Sequence, residues 1–569
     1  MRRVKTKSPK RIEIDMSELQ AILQRTHDGP LGAEDHQKLT AAVETLGFLT
    51  QALEKKGTSL ERLRRLLFGP STEKTRDVLA AAGAGSKSER AEQEASESTG
   101  EAGPEAAASA TEQAEKRPGH GRNGAAAYTG AQKVSVPHES LKAGDPCSKC
   151  KSGKVYPLAE PAQLVRVKGQ APLMATVYEC ARLRCNLCGE VFTAAPPAGV
   201  GMAKYDSSAA GMLGLLKYGC GMPFNRLERL EGGVGIPLPA ATQWDIVKAT
   251  AAELAPAYVE MVRQAAQGEV LHNDDTTAKI LSLMARARAG PDGGSADTDV
   301  DTEESERTGV FTTGIVSTGA GHKIALFFTG RQHAGENLAD VLAQRAAELG
   351  PPIQMCDGLQ RNVVSGGEEL DTIVGNCLCH SRRKFVEVAT RFPPQVRHVL
   401  EILHEVYVNE ARTHELHMNP TRRLRYHQRH SGPSMKKLEQ WLAEQFAEKK
   451  VEPNSGLGDA ILYMQKHWDR LTLFLRVAGA PIDNNICERV LKKAILHRKN
   501  ALFFKTENGA HVGDLFMSLI HTAEIMQVDS FDYLVALQQH AAALAEDPDE
   551  WMPWNYKETI AKAAAAPLA

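Results

Sequence analysis

The residues best suited to chemistry in this chain are acids and cysteines that stand far apart. In "EVLHNDDTTAKIL" (Glu269 to Leu281) two adjacent carboxylates, Asp274 and Asp275, interrupt a run that otherwise reads as a strand. Side chains alternate along a strand, so the two point to opposite faces and at most one serves a site on a given face. Asp357 closes "PPIQMCDG", and Glu488 lies in "APIDNNICERVLKKAILHRKN". A few carboxylates in one cleft hold a hard divalent cation and leave its other positions to water and phosphate oxygens. Each acid also has a plainer reading. Asp357 before Gly358 suits a turn. Asn485 with Glu488 three residues on makes an Asn version of a capping box, worth about 1 kcal/mol and no chemistry. Local sequence leaves these alternatives open.

The second group is Cys147-x-x-Cys150 and Cys185-x-x-Cys188, the latter followed by Gly189. A CxxC turn presents two thiolates at a separation that suits tetrahedral zinc, and two such turns fill its four positions. The expected metal is a structural Zn²⁺ in a small ribbon that contacts nucleic acid or a partner; the alternative is a set of unrelated reduced thiols. Cys180 is spare and reads as packing.

Around the acids the elements follow an informative order. The stretch at 269 is a first strand, "GVFTTGIVST" a second and "HKIALFFTG" a third. The helix "GENLADVLAQRAAELG" precedes a fourth strand ending at Asp357, and "TIVGNCLCH" is a fifth, leading into the helix "SRRKFVEVATRF". Three strands in a meander followed by alternating helix and strand is the order of an α/β ribonuclease-H-like domain, in which a late helix supplies a third acid. In the helix at 485, Cys487, Val490, Leu491 and Ala494 share an apolar face, and Glu488 sits at its margin, from which a side chain reaches a cleft.

The 569-residue chain is too long for one core. It reads as multidomain: a helical, leucine-zipper-like N-terminal region (1–80), a disordered Ala/Glu/Ser/Gly linker (81–133), the zinc ribbon (134–198), and a helical connecting or DNA-binding region (199–262). The ribonuclease-H-like domain then comes in two parts (263–390 and 481–540) around a helical insertion (391–480), with a loosely structured tail (541–569). The N-terminal helices either self-associate or form an ordinary amphipathic pair. Net charge is only −2, but acidic stretches near 86–115 and 292–306 alternate with basic clusters such as "RRLRYHQRH", so a polyanionic partner is not excluded. No apolar run approaches 18 residues, and "MRRVKTKSPKRIEIDM" lacks the apolar core of a secretory signal. Ten sparse cysteines suit a reducing compartment. The expected location is the cytoplasm.

These motifs, in this order, resemble the large transposase subunit of the IS sixty-six family of bacterial insertion sequences. The resemblance rests on "RRLLFGPSTEK", the "CSKC…CNLC" pair, "LKYGCGMPFNRLERL", "NDDTT", "CDG", "CLCHSRRKF", "IDNNICERVLKKAILHRKNALFF" and "NGAHVGDLFMSLIHTAE". It implies a DDE transposase in which Asp274, Asp357 and Glu488 bind two Mg²⁺ (or Mn²⁺) for in-line cleavage and strand transfer of DNA. Asp275 departs from the glutamate usual beside the first acid, Cys379 from a small residue, and the acidic "PDGGSADTDVDTEESER" is extra material. His380, Arg382 and Arg383 match a segment expected near the DNA backbone, and Arg489, Arg498, Lys499 and Asn500 positions that contact DNA or buttress the site. In the insertion, Arg422, Arg423, Arg425, His427 and Arg429 either track phosphates or form a solvated face. Implied partners are the element's terminal repeats, target DNA, a second copy of the chain and small accessory proteins. Two other readings keep the motifs: a domesticated or inactive relative, and a zinc-containing DNA-binding regulator without catalysis.

Overall fold

The computed structural model describes residues 203–289, 309–364 and 371–565 continuously, with short pieces before them (32–40, 142–146, 154–156, 172–184, 191–201 and a few single positions). The four CxxC cysteines, most of the N-terminal helical region, the linker and the acidic insert lie outside the described residues. Arg182–Arg184 and Val191–Thr193, which flank the second CxxC in sequence, pair as an antiparallel hairpin. No helix among the described residues is long and apolar enough to cross a membrane.

The fold is mixed α/β. Helices α1 (Ser207–Gly214), running into a π turn (Leu215–Gly219), α2 (Phe224–Gly233) and α3 (Ala240–Ala266) precede the sheet. The strands are β1 (Val270–Thr277), β2 (Phe311–Gly319), β3 (His322–Gly330), β4 (Ile353–Cys356) and β5 (Ile373–Asn376). Their order in space is β3-β2-β1-β4-β5; the meander is antiparallel, and β4 and β5 add parallel to β1. Between β3 and β4 runs α4 (Ala334–Leu342), and after β5 comes α5 (Leu378–Glu387). Both faces of the sheet are covered, which is why β2 reads as a nearly unbroken buried run.

Helices α6 (Pro393–Glu415), α7 (Pro420–His430), α8 (Gly432–Ala447) and α9 (Gly456–Lys466) follow. They share a core of Val399, Leu403, Leu438, Leu442 and Ile461. Two residues of the basic run of α7 are built into this bundle. Arg423 grips Glu410 with Nε and Nη2, both at 2.9 Å, and donates Nη1 to the Ala480 carbonyl at 2.7 Å. His427 lies 2.7 Å from Glu410 Oε2 and 2.9 Å from the Ser431 hydroxyl. Burial alone would raise the Glu410 pKa, but His427 and Arg423 hold it down at about 2. Arg423 and His427 are therefore internal partners of Glu410 rather than phosphate contacts, and only Arg422, Arg425 and Arg429 of the run are exposed.

After the bundle come α10 (Asn485–Ala501), α11 (Glu507–Ile525) and α12 (Ser530–Gln539). Helix α11 runs along the free edge of β3. Asp514, Ser518 and Thr522 accept the Thr329, Phe327 and Ala325 amides at 2.6, 3.0 and 3.0 Å, and Met526 Sδ meets the Lys323 amide at 3.3 Å. Four helical residues rise about 6.0 Å and two strand residues about 6.6 Å, so a four-residue repeat keeps step with alternate strand amides. The expected loose tail is a correction: it forms helices Ala541–Glu546 and Tyr556–Ala565 around a 3-10 turn. Trp551, Met552 and Tyr556 are buried there, and the surrounding charges had masked these apolar anchors.

Candidate active site

Parallel pairing sets β1 against β4 with Val270 opposite Ile353 and His272 opposite Met355. Two further steps in the same register bring Asp274 beside Asp357. One buried side chain bridges them: Asn362 Nδ2 donates to Asp274 Oδ1 at 3.2 Å and to Asp357 Oδ1 at 2.8 Å. The Asn362 carbonyl in turn accepts from Asn273 and Gln354, each at 2.7 Å, which fixes the loop after β4 over the strand ends. The Asp275 amide also donates to Asp274 Oδ1 at 2.8 Å, and the Leu359 amide to Asp357 Oδ1 at 3.0 Å.

Helix α10 carries Glu488 onto the same face. Asp274 pairs across the sheet with Gly314 of β2, and a methyl group at Gly314 would meet Leu491 Cγ at 2.9 Å. The bare backbone there lets α10 lie against the sheet, with Cys487 Sγ 3.2 Å from the Gly314 carbonyl. The start of the helix is pinned by Asn484, whose Nδ2 donates to the Asn273 carbonyl at 3.1 Å and whose Oδ1 accepts from His272 Nδ1 at 3.1 Å. Burial holds His272 down at about 4, so it stands neutral with its proton on Nδ1. The N-cap is thus Asn484, with no side-chain capping bond, and Asn485 turns back to Asp483 at 2.6 Å. The capping-box alternative is overturned, and Glu488 is left facing the acids.

Asp274 feels the other two carboxylates. Burial first, then the charge on Asp357, and also those of Asp275 and Glu488, push Asp274 up to about 7. His380 Nε2 and Arg383 Nη2 of α5 approach Glu488 at 3.6 and 3.8 Å, yet Glu488 Oε1 is buried without a hydrogen bond. Cys377, at the start of α5, completes a His/Cys/Glu group within 4.8 Å with His380 and Glu488. Asp275 faces the other side of the sheet, as alternation requires. Only 2 % of its side chain is exposed, and it pairs with His333 at 2.9 Å and Arg361 at 3.2 Å.

The profile described as the transposase IS66 family matches residues 205–512. The chain belongs to that family. Its similarities among curated proteins include y4hP of Sinorhizobium fredii, 24% identical over 379 residues, which are 62% of each chain. Another, y4jD of the same organism, is 30% identical over 185 residues, 32% of this chain and 35% of its own. Both carry the description "uncharacterized protein", and the chain spans less than two thirds of either.

In this IS66-family chain the remaining sequence candidates divide by environment. Arg489 and Lys499 are exposed on α10, while Arg382 and Asn500 are half-buried. Asn500 stands beside Gly221 of the "LKYGCGMPF" turn. Arg498 reaches the end of β1, donating to the hydroxyls of Thr276 and Thr277 at 3.1 and 2.8 Å and to the Thr277 carbonyl; it braces the strand. Two residues of the cluster escape sequence reasoning, Asn362 and Asn484. The only signal for Asn484 is its place in "DNN"; Asn362 has none, since a loop asparagine reads as a turn former.

Proposed function

We propose that the chain is a DNA transposase that cuts insertion-sequence ends and joins them to target DNA. In this reading the β3-β2-β1-β4-β5 sheet is a ribonuclease-H-like core interrupted by the helical insertion. Asp274, Asp357 and Glu488 are its metal-binding acids. The observation that carries it is the convergence of these acids from β1, the end of β4 and α10, with Asp274 pushed up to about 7 by burial and by its neighbours' charge. The donor set suits two Mg²⁺ (or Mn²⁺): hard oxygen ligands, mutual repulsion that a cation relieves, and a buried Glu488 Oε1 with no hydrogen bond. The chemistry such cations supply is activation of the attacking oxygen and stabilisation of the leaving oxygen at phosphorus.

The protein's own part is positioning. Asn362 holds Asp274 and Asp357 at a fixed separation, and His380 and Arg383 steady Glu488. Exposed Arg489 and Lys499 meet DNA phosphates, whose neutralisation gives salt-dependent affinity. Joining two ends requires more than one subunit, with small accessory proteins of the same element as further partners.

The test is purified protein with Mg²⁺ and labelled element-end DNA. Wild type is expected to give cleavage and joined products; Asp357→Asn and Glu488→Gln give none. An identical product pattern from all three removes the triad, and DNA binding without any metal-dependent product favours a non-catalytic regulator. For the ribbon, metal analysis should find about one zinc per chain, and the Cys147→Ser/Cys185→Ser double variant should lose it. Zinc retained in that variant excludes the four-cysteine site.

A further inference from the structure

Helix α10 ends in an unusual way. Leu502 has φ +70° and ψ −42°, and the Phe503 amide donates to the Ala501 carbonyl at 2.9 Å. This is a γ-turn with positive φ, a strained conformation for a residue with a branched side chain. Strain of this kind persists where the surroundings enforce it, and it clusters at functional positions. Here it projects two apolar side chains outward: Leu502 is 62 % exposed and Phe503 45 %.

The chain beyond the turn is anchored. The Phe504 amide donates to the Lys279 carbonyl at 2.8 Å, and the Leu281 amide to the Phe504 carbonyl at 3.0 Å, making a parallel bridge between Ile280 and Phe504. Ile280 is fully buried and Phe504 packs against the same small core. Alternation then turns Lys279, Leu281, Phe503 and Lys505 to the outer face, and all four are exposed. Lys279, Arg498, Leu502 and Phe503 also border one recess of about 10 Å³, room for a single water. Lys279, Lys499 and Lys505 have no carboxylate partner among the described residues. The surface is therefore an aromatic ring and a leucine on an anchored turn, with Lys279 and Lys505 on the same outer face and Lys499 three residues before Leu502 on α10.

We propose that Leu502 and Phe503 form a stacking site for an unpaired base of the DNA, with the three lysines on the flanking phosphates. The inference rests on the DNA reading above. Cations around an aromatic platform are the arrangement that binds single-stranded nucleic acid, whose bases expose a π-face and whose backbone is anionic. In a duplex those faces are hidden, so the base must leave the stack; Leu502 is placed to fill the gap as a wedge. The recess is too small to admit a base, which lies across Phe503 instead. Asp274 and Lys279 are five residues apart, at most about 17 Å along the extended chain. That places the unpaired base within about five nucleotides of the cleaved bond.

The test uses full-length protein and element-end DNA carrying 2-aminopurine at single positions within about five nucleotides of the cleavage point. Wild type is expected to change the fluorescence at one position. Phe503→Ala should lose that change and bind about tenfold more weakly; Phe503→Trp should restore both. Leu502→Gly relieves the backbone strain, so it should melt at a higher temperature yet lose the signal. If wild type binds the DNA and Phe503→Ala matches it in affinity and fluorescence, the stacking site is wrong and the transposase reading stands. If wild type binds no element-end DNA, both fall.

Discussion

Asp274→Asn is expected to stabilise the fold and to abolish DNA cleavage at once. Asp274 titrates at about 7 instead of the ordinary 3.8, because it is buried and flanked by Asp357 and Glu488. A carboxyl whose folded pKa is raised takes up a proton on folding. Stability is therefore highest below the unfolded pKa and falls as pH rises from about 4 to about 7. Asparagine keeps an oxygen for the Asp275 amide and the Asn362 side chain but carries no charge to repel its neighbours. The variant should melt a few degrees higher than wild type near pH 8, a gain of about 1 kcal/mol or more. Its contribution to the slope between pH 4 and 7 should vanish. A lost metal-binding carboxylate costs several kcal/mol of transition-state stabilisation, so cleavage should fall at least about a thousandfold. Scanning calorimetry with and without Mg²⁺ adds an independent reading, since a cation that binds only the folded state raises its melting temperature. An Mg²⁺-induced rise in wild type that persists in Asp274→Asn would falsify the assignment of Asp274 as a metal-binding acid.

Asp514→Ala should have the largest effect on stability. Its carboxylate accepts the Thr329 amide and the Thr329 hydroxyl, both at 2.6 Å, in a fully buried position. Alanine leaves the buried Thr329 amide unpaired, at about 1–3 kcal/mol, removes one of the two partners of the Thr329 hydroxyl (the other is Thr312), and opens the edge of β3. Urea denaturation should show a loss of roughly 2–5 kcal/mol, with light scattering reporting association through the bared strand. Asp514→Asn behaves differently, because an amide can accept from the Thr329 amide and donate to its hydroxyl. Burial raises Asp514 to about 7 against the pull of the Thr329 bonds. By the same sign argument its stability contribution falls as pH rises from about 4 to about 7, and Asp514→Asn should keep near-normal stability without that dependence. Equal losses in the two variants would show that bulk, rather than pairing, is what the position needs.

The strands and their order were legible because each is a short apolar run bounded by glycine, proline or charge, and because helix and strand alternate after the third. Alternation alone separated Asp274 from Asp275. The apolar face Cys487, Val490, Leu491 and Ala494 is buried as its spacing implies. What stayed hidden depends on contacts between distant segments. A capping motif at Asn485 looks the same in sequence whether or not the true cap is Asn484, whose side chain is drawn away by His272 and Asn273 more than 200 residues earlier. Arg423 and His427 look like the rest of a basic run, since nothing local reveals Glu410 across the bundle. Asn362 is one of many loop asparagines until the register of β1 and β4 puts two carboxylates within its reach.

The placement of the α6–α9 bundle has a consequence for synthesis of the protein. Asp274 and Asp357 leave the ribosome together with β1 and β4, whereas Glu488 follows 131 residues after Asp357. At about 5–20 residues per second that interval lasts roughly ten seconds. Throughout it the nascent chain has two of the three proposed acids and an unsealed β3, because α11 emerges later still. A polypeptide that ends anywhere within the α6–α9 bundle carries the same defect permanently. The order of segments therefore works as a delay: the helix that would arm the site comes only once the bundle before it has been made.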